Sequence, residues 1–586
     1  MAMKQFKDPI YGYINIPKTI VKDIIDTAEF QRLRYIKQTS YLPVYSAALH
    51  NRFIHSLGVY HLGKMASDAV FNNSKEILER YSTTFDIKQT FQLACLLHDV
   101  GHAPFSHSGE SFYVDGEGKF YAEFKNIVQD ESFSLDVDYY HSNGKTAAPH
   151  EIMSVIIALK NYKDYFKSDE ERSFFARCIT GYKYRDLESE KGANHAIFNA
   201  FISLLNSTTI DVDRLDYLIR DAYVMGYNSV SIDYQRLLEG IMLVKVQGTV
   251  NYSPIQLAYK KSALSVIENV IYAHDAEKKW IQNHPVILYE VFLIQRIIVS
   301  TRMEYKKRTG NELFSIRALS SKNDERTEHD KHFPVLSKEL AKIKSLLLNV
   351  EHKDEILGNL QIIEKHIETA NTYPDISLLC DDDIIHLSKT IDQYFSNELF
   401  NRGIRRHPIW KSESEYKIYM DGFIGDESYD ELQSQIKVLY KFLLEEAPSP
   451  AIDSEAVDYC QKRLEEICAL ELSEYDKIDM TTRYSMLLKW LKMFEKIADE
   501  QNLRQFDFLI IPASQFESSF KKEDLGNIPI FFPGTGKIYP LSKLINLFTV
   551  NDTKRHKFFY VYYRKNSGEE IDALKVGKEI AKLILQ

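Results

Sequence analysis

Three separated segments of this 586-residue chain hold the side chains best suited to metal and phosphate chemistry. His55 lies in HNRFIHSLGVYHL, His98 and Asp99 in LLHDVGHAPFSHSGE, and Asp213 in DVDRLDYLIRD. Imidazole combined with carboxylate suits Mn, Fe or Zn, and Mg less comfortably. Four protein ligands leave positions on an octahedral ion for a water and a phosphate oxygen, which the ion would acidify and polarise. A lone His-Asp pair carries little weight, so its neighbours matter. The pair ends an apolar run and is followed by Gly101, His102, Pro104, Phe105, His107 and Glu110. Buried charge at such a place is costly unless it is paired or metal-bound. His107 and Glu110 are three apart, so on a helix they share a face, and the carboxylate can orient and charge the imidazole as an acid or base.

These residues need a helical frame. Residues 1–20 contain DPIYGYINIP and read as a short hairpin. Val21–Lys37 reads as helix, with Asp26 and Thr27 as a break or cap. Ser56–Phe71 reads as an amphipathic helix and Lys88–Asp99 as a largely buried one. Further helical patterns cover 150–166, 194–226, 258–303, 335–371, 383–399 and 427–446, and the polar run 320–332 reads as a surface loop. APSPAIDSE near 447–455 is a candidate boundary. Beyond residue 503, FDFLIIPA, IPIFFPG and KFFYVYYRK read as strands, followed by a closing helix. The expected fold is mainly α, with a smaller C-terminal α+β lobe.

The segments QRLRYIKQ (31–38), HNRFIHSLGVYHL (50–62), LLHDVGHAPFSH (96–107), HE (150–151) and DVDRLDYLIRDAYVMG (211–226) closely resemble the HD-domain deoxynucleoside triphosphate triphosphohydrolases. That family includes the vertebrate SAM-and-HD-domain enzyme and the bacterial dGTPases. The motifs run in family order, and the catalytic core begins almost at residue 1, with no SAM domain expected before it. The chain is expected to divide into an HD phosphohydrolase core at 1–300, a helical extension at 301–450 and the α+β lobe at 451–586. The resemblance implies that His55, His98, Asp99 and Asp213 hold a divalent metal (Mn, Fe, Mg or Zn), and that His102, His107 and His150 handle the α-phosphate and proton transfers with Glu110. Glu at position 110 sides with the bacterial enzymes, since the vertebrate form has Asp there. Arg52 matches a phosphate-binding arginine, whose fork suits bidentate contacts. Arg214 stands where the vertebrate enzyme has a phosphate-binding lysine; pairing with Asp211 is the alternative reading. Tyr217 and Asp221 match the residues that hold the deoxyribose, and Gln38 a glutamine that contacts sugar or base. His274 and Gln282 replace the family's γ-phosphate arginine and base-contacting tyrosine, with Lys278 and Lys279 nearby. Asp26 and Arg34 match two residues of a regulatory nucleotide site between subunits, with Lys7 where an asparagine stands. Arg402, Arg405 and Arg406 fall near the positions of that site's other cations. An activating nucleotide and a homo-oligomer (dimer, tetramer or hexamer) follow as implied partners.

Composition narrows the substrate. The net charge of −10 gives no overall field for long nucleic acid. The 37 Tyr and 33 Phe read as core and half-exposed residues before stacking surfaces. Five scattered cysteines without a CxxC pair fit a reducing compartment. The start lacks an apolar signal core, and the apolar stretch 286–300 is broken by Glu290, Gln295 and Arg296, so no membrane span is expected and the cytoplasm is. The expected reaction is hydrolysis of a deoxynucleoside triphosphate at the α-phosphorus. An HD site acting on a monophosphate, cyclic dinucleotide, alarmone or single-stranded nucleic acid is the competing enzymatic reading. A catalytically silent nucleotide sensor is the non-enzymatic one, and the intact ligand set speaks against it.

Overall fold

The chain opens with an antiparallel hairpin, β1 (Met3–Asp8) and β2 (Gly12–Pro17), in register from Met3 opposite Pro17 to Asp8 opposite Gly12. The computed structural model describes residues 2–79, 84–110, 119–187, 192–227, 231–245, 255–309, 379–391, 393–420, 426–447, 454–469, 473–501, 508–513, 526–545, 558–564 and 571–585. The polar run 320–332, the helical pattern 335–371 and most of the boundary near 447–455 lie outside them.

The fold is mainly α. Two compact units interleave along the chain: the first comprises Met1–Asp275, Thr301–His386 and Ser519–Leu547, the second Ala276–Ser300, Leu387–Ser518 and Phe548–Gln586.

In the first unit, Asp26 and Thr27 break the helical run after the hairpin, and Ala28–Gln31 resumes it. Helix α1 (Arg52–Asn73) is capped by Asn51, whose side chain accepts from Ile54 N. Helix α2 (Ile87–Leu97) is capped by Asp86, and α3 is Pro149–Asn161. The helical pattern expected over 194–226 divides into Gly192–Leu205 and α4 (Val212–Met225), because Asp211 caps a new helix and Gly226 ends it in the left-handed conformation. The pattern expected as helix from 258 begins as a strand. β3 (Ile241–Lys245) and β4 (Ile255–Lys260) pair antiparallel, β4 runs parallel to β5 (Pro529–Phe532), and β5 pairs antiparallel with β6 (Lys537–Pro540). The helix proper starts only at Leu264.

Helix α1 is the axis of this unit and packs on α2, α4 and β3. It is more enclosed than an amphipathic surface helix: Phe53, Leu57, Val59, Tyr60, Leu62, Ala66 and Val70 are buried, and so are Arg52, His55 and Ser56. Polar residues can occupy a central helix only where partners meet them, and the crossing of α1 with α4 supplies those partners. Gly58 sits at this crossing, where a Cβ would lie 1.9 Å from Asp216 Oδ1 and 2.5 Å from an Arg220 guanidinium nitrogen.

In the second unit, Phe559–Tyr563 is the middle strand of a small antiparallel sheet between His407–Pro408 and Phe508–Pro512. The long helices Asp426–Glu445, Ser454–Ala469 and Glu474–Glu500 and the closing helix Ala573–Leu585 complete it. Trp410, Trp490, Phe494 and Tyr562 lie in its core.

Gly58→Ala should force α1 away from α4 at a cost of about 1–3 kcal/mol, the range for overpacking a filled interior. Thermal unfolding of the variant should show a clear fall in Tm. An unchanged Tm would contradict the tight crossing.

Candidate metal centre

His55 stands in the first turns of α1, His98 and Asp99 follow α2 directly, and Asp213 lies in the first turn of α4. The fold brings these four together. His55 Nε2 is 3.0 Å from Asp213 Oδ1 and 3.5 Å from Asp99 Oδ2. His98 Nε2 is 3.4 Å from Asp99 Oδ1 and 3.6 Å from Asp213 Oδ1. Both Nε2 atoms are buried and make no hydrogen bond. Two unsatisfied imidazole nitrogens facing two carboxylates are costly by themselves and match the donor set of a divalent cation. The residues therefore fit a metal.

The other ring nitrogens are tied back. His55 Nδ1 lies 2.7 Å from Asp216 Oδ2, and His98 Nδ1 lies 2.9 Å from the Cys95 carbonyl. Donation from Nδ1 leaves Nε2 as the ligating atom, the usual support of a metal-bound histidine. Asp216 is itself gripped by Arg220, with Nε to Oδ2 and Nη2 to Oδ1 both at 2.9 Å. The Tyr11 hydroxyl donates to Asp216 Oδ1 at 2.8 Å, and Arg220 Nη1 donates to Asp8 Oδ2 at 3.0 Å. Sequence reasoning missed this group of Asp8, Tyr11, Asp216 and Arg220. The available signal was the Asp216/Arg220 spacing of four on one helix face.

Charge is distributed accordingly. Burial alone would raise Asp99, but Arg52, His98 and His55 pull it down to about 2. Burial alone would lower His55, but the carboxylates of Asp213, Asp216 and Asp99 hold it up at about 9.

A second cluster adjoins the first through His102, whose Nε2 is 3.4 Å from Asp99 Oδ1. Glu110 Oε1 lies 2.6 Å from His107 Nδ1, 2.7 Å from His150 Nδ1 and 3.7 Å from His102 Nδ1. The His102 and His150 rings stack at 4.1 Å. Against the lowering effect of burial, Glu110 holds His150 at about 9. Burial, reinforced by Arg52 and the neighbouring imidazoles, pushes His102 well below the ordinary histidine range. The His107 side chain is 53% exposed and so reaches solvent, whereas its three partners are enclosed.

Arg52 is buried and aimed. Nη1 donates to Asp99 Oδ2 at 2.7 Å and Nε to Ser106 Oγ at 2.9 Å. Ser106 in turn donates to the Lys37 carbonyl, and both Phe105 and Ser106 have positive φ. That strained turn is pinned by Asp381, which accepts from Phe105 N at 2.6 Å and from Lys37 N at 3.0 Å. Asp381 was not foreseen; its partners lie hundreds of residues away. Gln38 is buried beside Arg52, with its backbone N–H on the His50 carbonyl at 3.0 Å. Asp221 is buried and meets His50 Nε2 at 2.6 Å, while Tyr217 is half-buried. Arg214 Nη1 reaches the Thr209 carbonyl and lies 3.6 Å from Asp211 Oδ2.

The candidate regulatory residues fall in different units. In the first, Asp26 is exposed and 3.7 Å from Lys4 Nζ, and Arg34 stacks on Phe53 and donates to Gln31. In the second, Arg405 pairs with Glu290 at 2.8 Å, Arg406 is buried against Glu398 at 2.7 Å, and Arg402 is exposed. Arg405 and Arg406 thus have structural partners within their own unit. His274 is buried next to Asp275 in the first unit, and Gln282 donates to Glu277 in the second.

Residues 52–158 match the family model described as HD domain. The chain is 33% identical over 252 residues to the deoxynucleoside triphosphate triphosphohydrolase SAMHD1 of Danio rerio, covering 42% of this chain and 37% of that protein. It is 34% identical over 246 residues to the SAMHD1 homolog of Dictyostelium discoideum, covering 41% and 39%. It is 29% identical over 299 residues to the uncharacterized protein YwfO of Bacillus subtilis, covering 50% and 55%. The chain thus spans about half the length of that relative and less of the others. A crystal structure of a phosphohydrolase from Bacteroides thetaiotaomicron superposes with a TM-score of 0.51 at 18% identity, covering 96% of this chain and all of that one. That likeness is one of fold.

Elemental analysis of purified protein should find about one divalent ion per chain, and Asp213→Ala or His98→Ala should lose it. Asp216→Asn keeps all four ligands but loosens His55, so affinity should fall about 10- to 100-fold. Full metal retention in Asp213→Ala would sink the assignment.

Proposed function

We propose that this chain, an HD-domain protein related to the SAMHD1 triphosphohydrolases, hydrolyses deoxynucleoside triphosphates at the α-phosphorus to deoxynucleoside and inorganic triphosphate. The observation that carries this reading is the adjacency of two sets: the four-residue metal site, and the Glu110 cluster with His102, His107 and His150. Metal binding alone would need only the first. A divalent ion (Mn, Fe, Mg or Zn) held by His55, His98, Asp99 and Asp213 supplies positive charge for the α-phosphate and acidifies water.

The chain's own groups account for the rest. Arg52, already oriented by Asp99 and Ser106, offers its guanidinium to the same phosphate. Charge stabilisation by groups held in place beforehand is the largest usual contribution to such a reaction. Water adds to the α-phosphorus as the bond to the 5′-oxygen breaks. The departing oxygen needs the proton the water loses, and either His107 or His150, held by Glu110 at 2.6 and 2.7 Å, supplies one. His102, pushed toward neutrality by burial and the neighbouring cations, can accept a hydrogen bond. Tyr217 and Asp221 receive the deoxyribose, and Gln38 the sugar or base. Under the same reading the protein is a cytoplasmic homo-oligomer that takes an activating nucleotide. Among the described residues, no helix is long and apolar enough to cross a membrane.

A screen of four deoxy- and four ribonucleoside triphosphates with Mn or Mg should yield deoxynucleoside plus triphosphate from at least one deoxy substrate. A nucleoside monophosphate as the product would overturn the proposal. A second prediction concerns pH. A histidine held above its ordinary value is protonated at neutral pH and loses its proton as pH rises through the raised value, here about 9 for His150. In Glu110→Gln the largest influence raising His150 is removed, leaving only Glu151 and Asp99 against burial, so the alkaline limb of the pH–rate profile should move acidwards by about one unit or more. An unshifted limb with full activity would remove Glu110 from the mechanism.

A further inference from the structure

We infer that His50 is the positioning residue for the sugar end of the pocket. It holds Asp221 so that one carboxylate oxygen is committed to protein and the other is left to read the 3′-hydroxyl of a deoxyribose. The inference rests on the proposed reaction for its substrate class. Its structural basis lies in groups that are not metal ligands.

His50 immediately precedes Asn51, the cap of α1. Its side chain is 1% exposed and its Nε2 lies 2.6 Å from Asp221 Oδ1, a partner 171 residues away. A buried carboxylate needs such a donor, and a short bond to an imidazole N–H both satisfies and orients it. With Nε2 on Asp221, Nδ1 is the remaining ring nitrogen, and it is buried with no hydrogen-bond partner. Two further orphans sit on the adjoining segment, Gln38 Oε1 and Thr39 Oγ1. That segment is joined to His50 by Gln38 N on the His50 carbonyl at 3.0 Å and by the Lys37–Asn51 bridge. Buried polar atoms are rarely left unpaired. Three of them on two bridged segments, beside a carboxylate held at one oxygen, describe a site for a ligand rich in hydroxyl and amino groups.

Helix register explains the placement. His55 meets Asp213 and Asp216, and His50 meets Asp221. Moving back along the chain from residue 55 to 50 moves forward along α4 from 216 to 221, so the two elements run antiparallel. Five residues of helix rise about 7–8 Å. The His50–Asp221 pair therefore lies about that far along α4 from Asp216 and about 12 Å from the ligand Asp213, eight residues back, and the sugar of a 5′-phosphate bound as proposed would extend toward it. One packing contact thus sets both the phosphate chemistry and the hydroxyl reading.

The test compares each 2′-deoxynucleoside triphosphate with its 2′,3′-dideoxy counterpart, which lacks the hydroxyl in question. The wild type, His50→Asn and His50→Gln are assayed for kcat and KM, and for equilibrium binding of both nucleotides without added metal. The Gln amide nitrogen can reach the position of Nε2, whereas the Asn amide cannot. His50→Asn should lower kcat/KM and binding for the deoxynucleotide by about 10- to 100-fold, leave the dideoxynucleotide within about twofold, and retain metal. His50→Gln should recover a large part of the loss. Equal losses on both nucleotides with a lowered Tm would make His50 merely structural and overturn the inference, as would wild-type behaviour in His50→Asn. If the wild type binds deoxynucleotides in preference to dideoxynucleotides yet releases no triphosphate, the reaction proposed above fails while this inference stands.

Discussion

The first unit depends on the burial of Asp216 between α1 and α4. This carboxylate accepts from Arg220 twice and from Tyr11 once, and meets His55 through its second oxygen. Burial would raise its proton affinity, but Arg220 and His55 together force it well below the ordinary carboxylate range. Buried ions gain little over apolar residues and cost a great deal when one partner is lost. The group therefore acts as a geometric lock. It joins the hairpin through Asp8 and Tyr11, α4 through Arg220, and α1 through His55. The glycine at position 58 is what lets α1 come close enough for this to happen.

The same device recurs outward from that point. Arg52 is held by Asp99 and Ser106, and Ser106 by a turn with positive φ that Asp381 clamps. Glu110 gathers His107 and His150 on one oxygen. The effect is to separate imidazoles of one chemical type into different states. His150 is pushed up by its carboxylate neighbours, while His102 is pushed down by burial and the surrounding cations. Groups driven apart in this way can divide acid and base roles, and they need no reorganisation when a phosphate arrives.

Much of the site was legible in the residues. His55, His98, Asp99 and Asp213 were recognisable because ligand chemistry demands particular residue types, and helix ends announce themselves through caps and glycines. His107 and Glu110 were readable from a spacing of three. The supporting residues were harder to see. Asp216 and Arg220 resemble an ordinary surface pair, and Asp381 resembles the acidic first turn of any helix. The stretch from 258 to 260 reads as the start of a helix because so short a run of mixed apolar character fits either period. Only the pairing with β3 and β5 makes it a strand.

The sequence alone therefore determined the chemical inventory, the mainly helical class and the local break at Asp26–Thr27. Each of these depends on side-chain type and on neighbours within about one helical turn. The tertiary structure alone decided which charges are paired: Asp216 with Arg220 and Tyr11, Arg52 with Asp99, His50 with Asp221, and Asp381 with two distant backbone N–H groups. It also decided that Arg405 and Arg406 are tied to Glu290 and Glu398. Such pairings depend on helix register and on segments hundreds of residues apart. A buried charge takes whatever partner packing brings to it, and packing is a property of the whole fold.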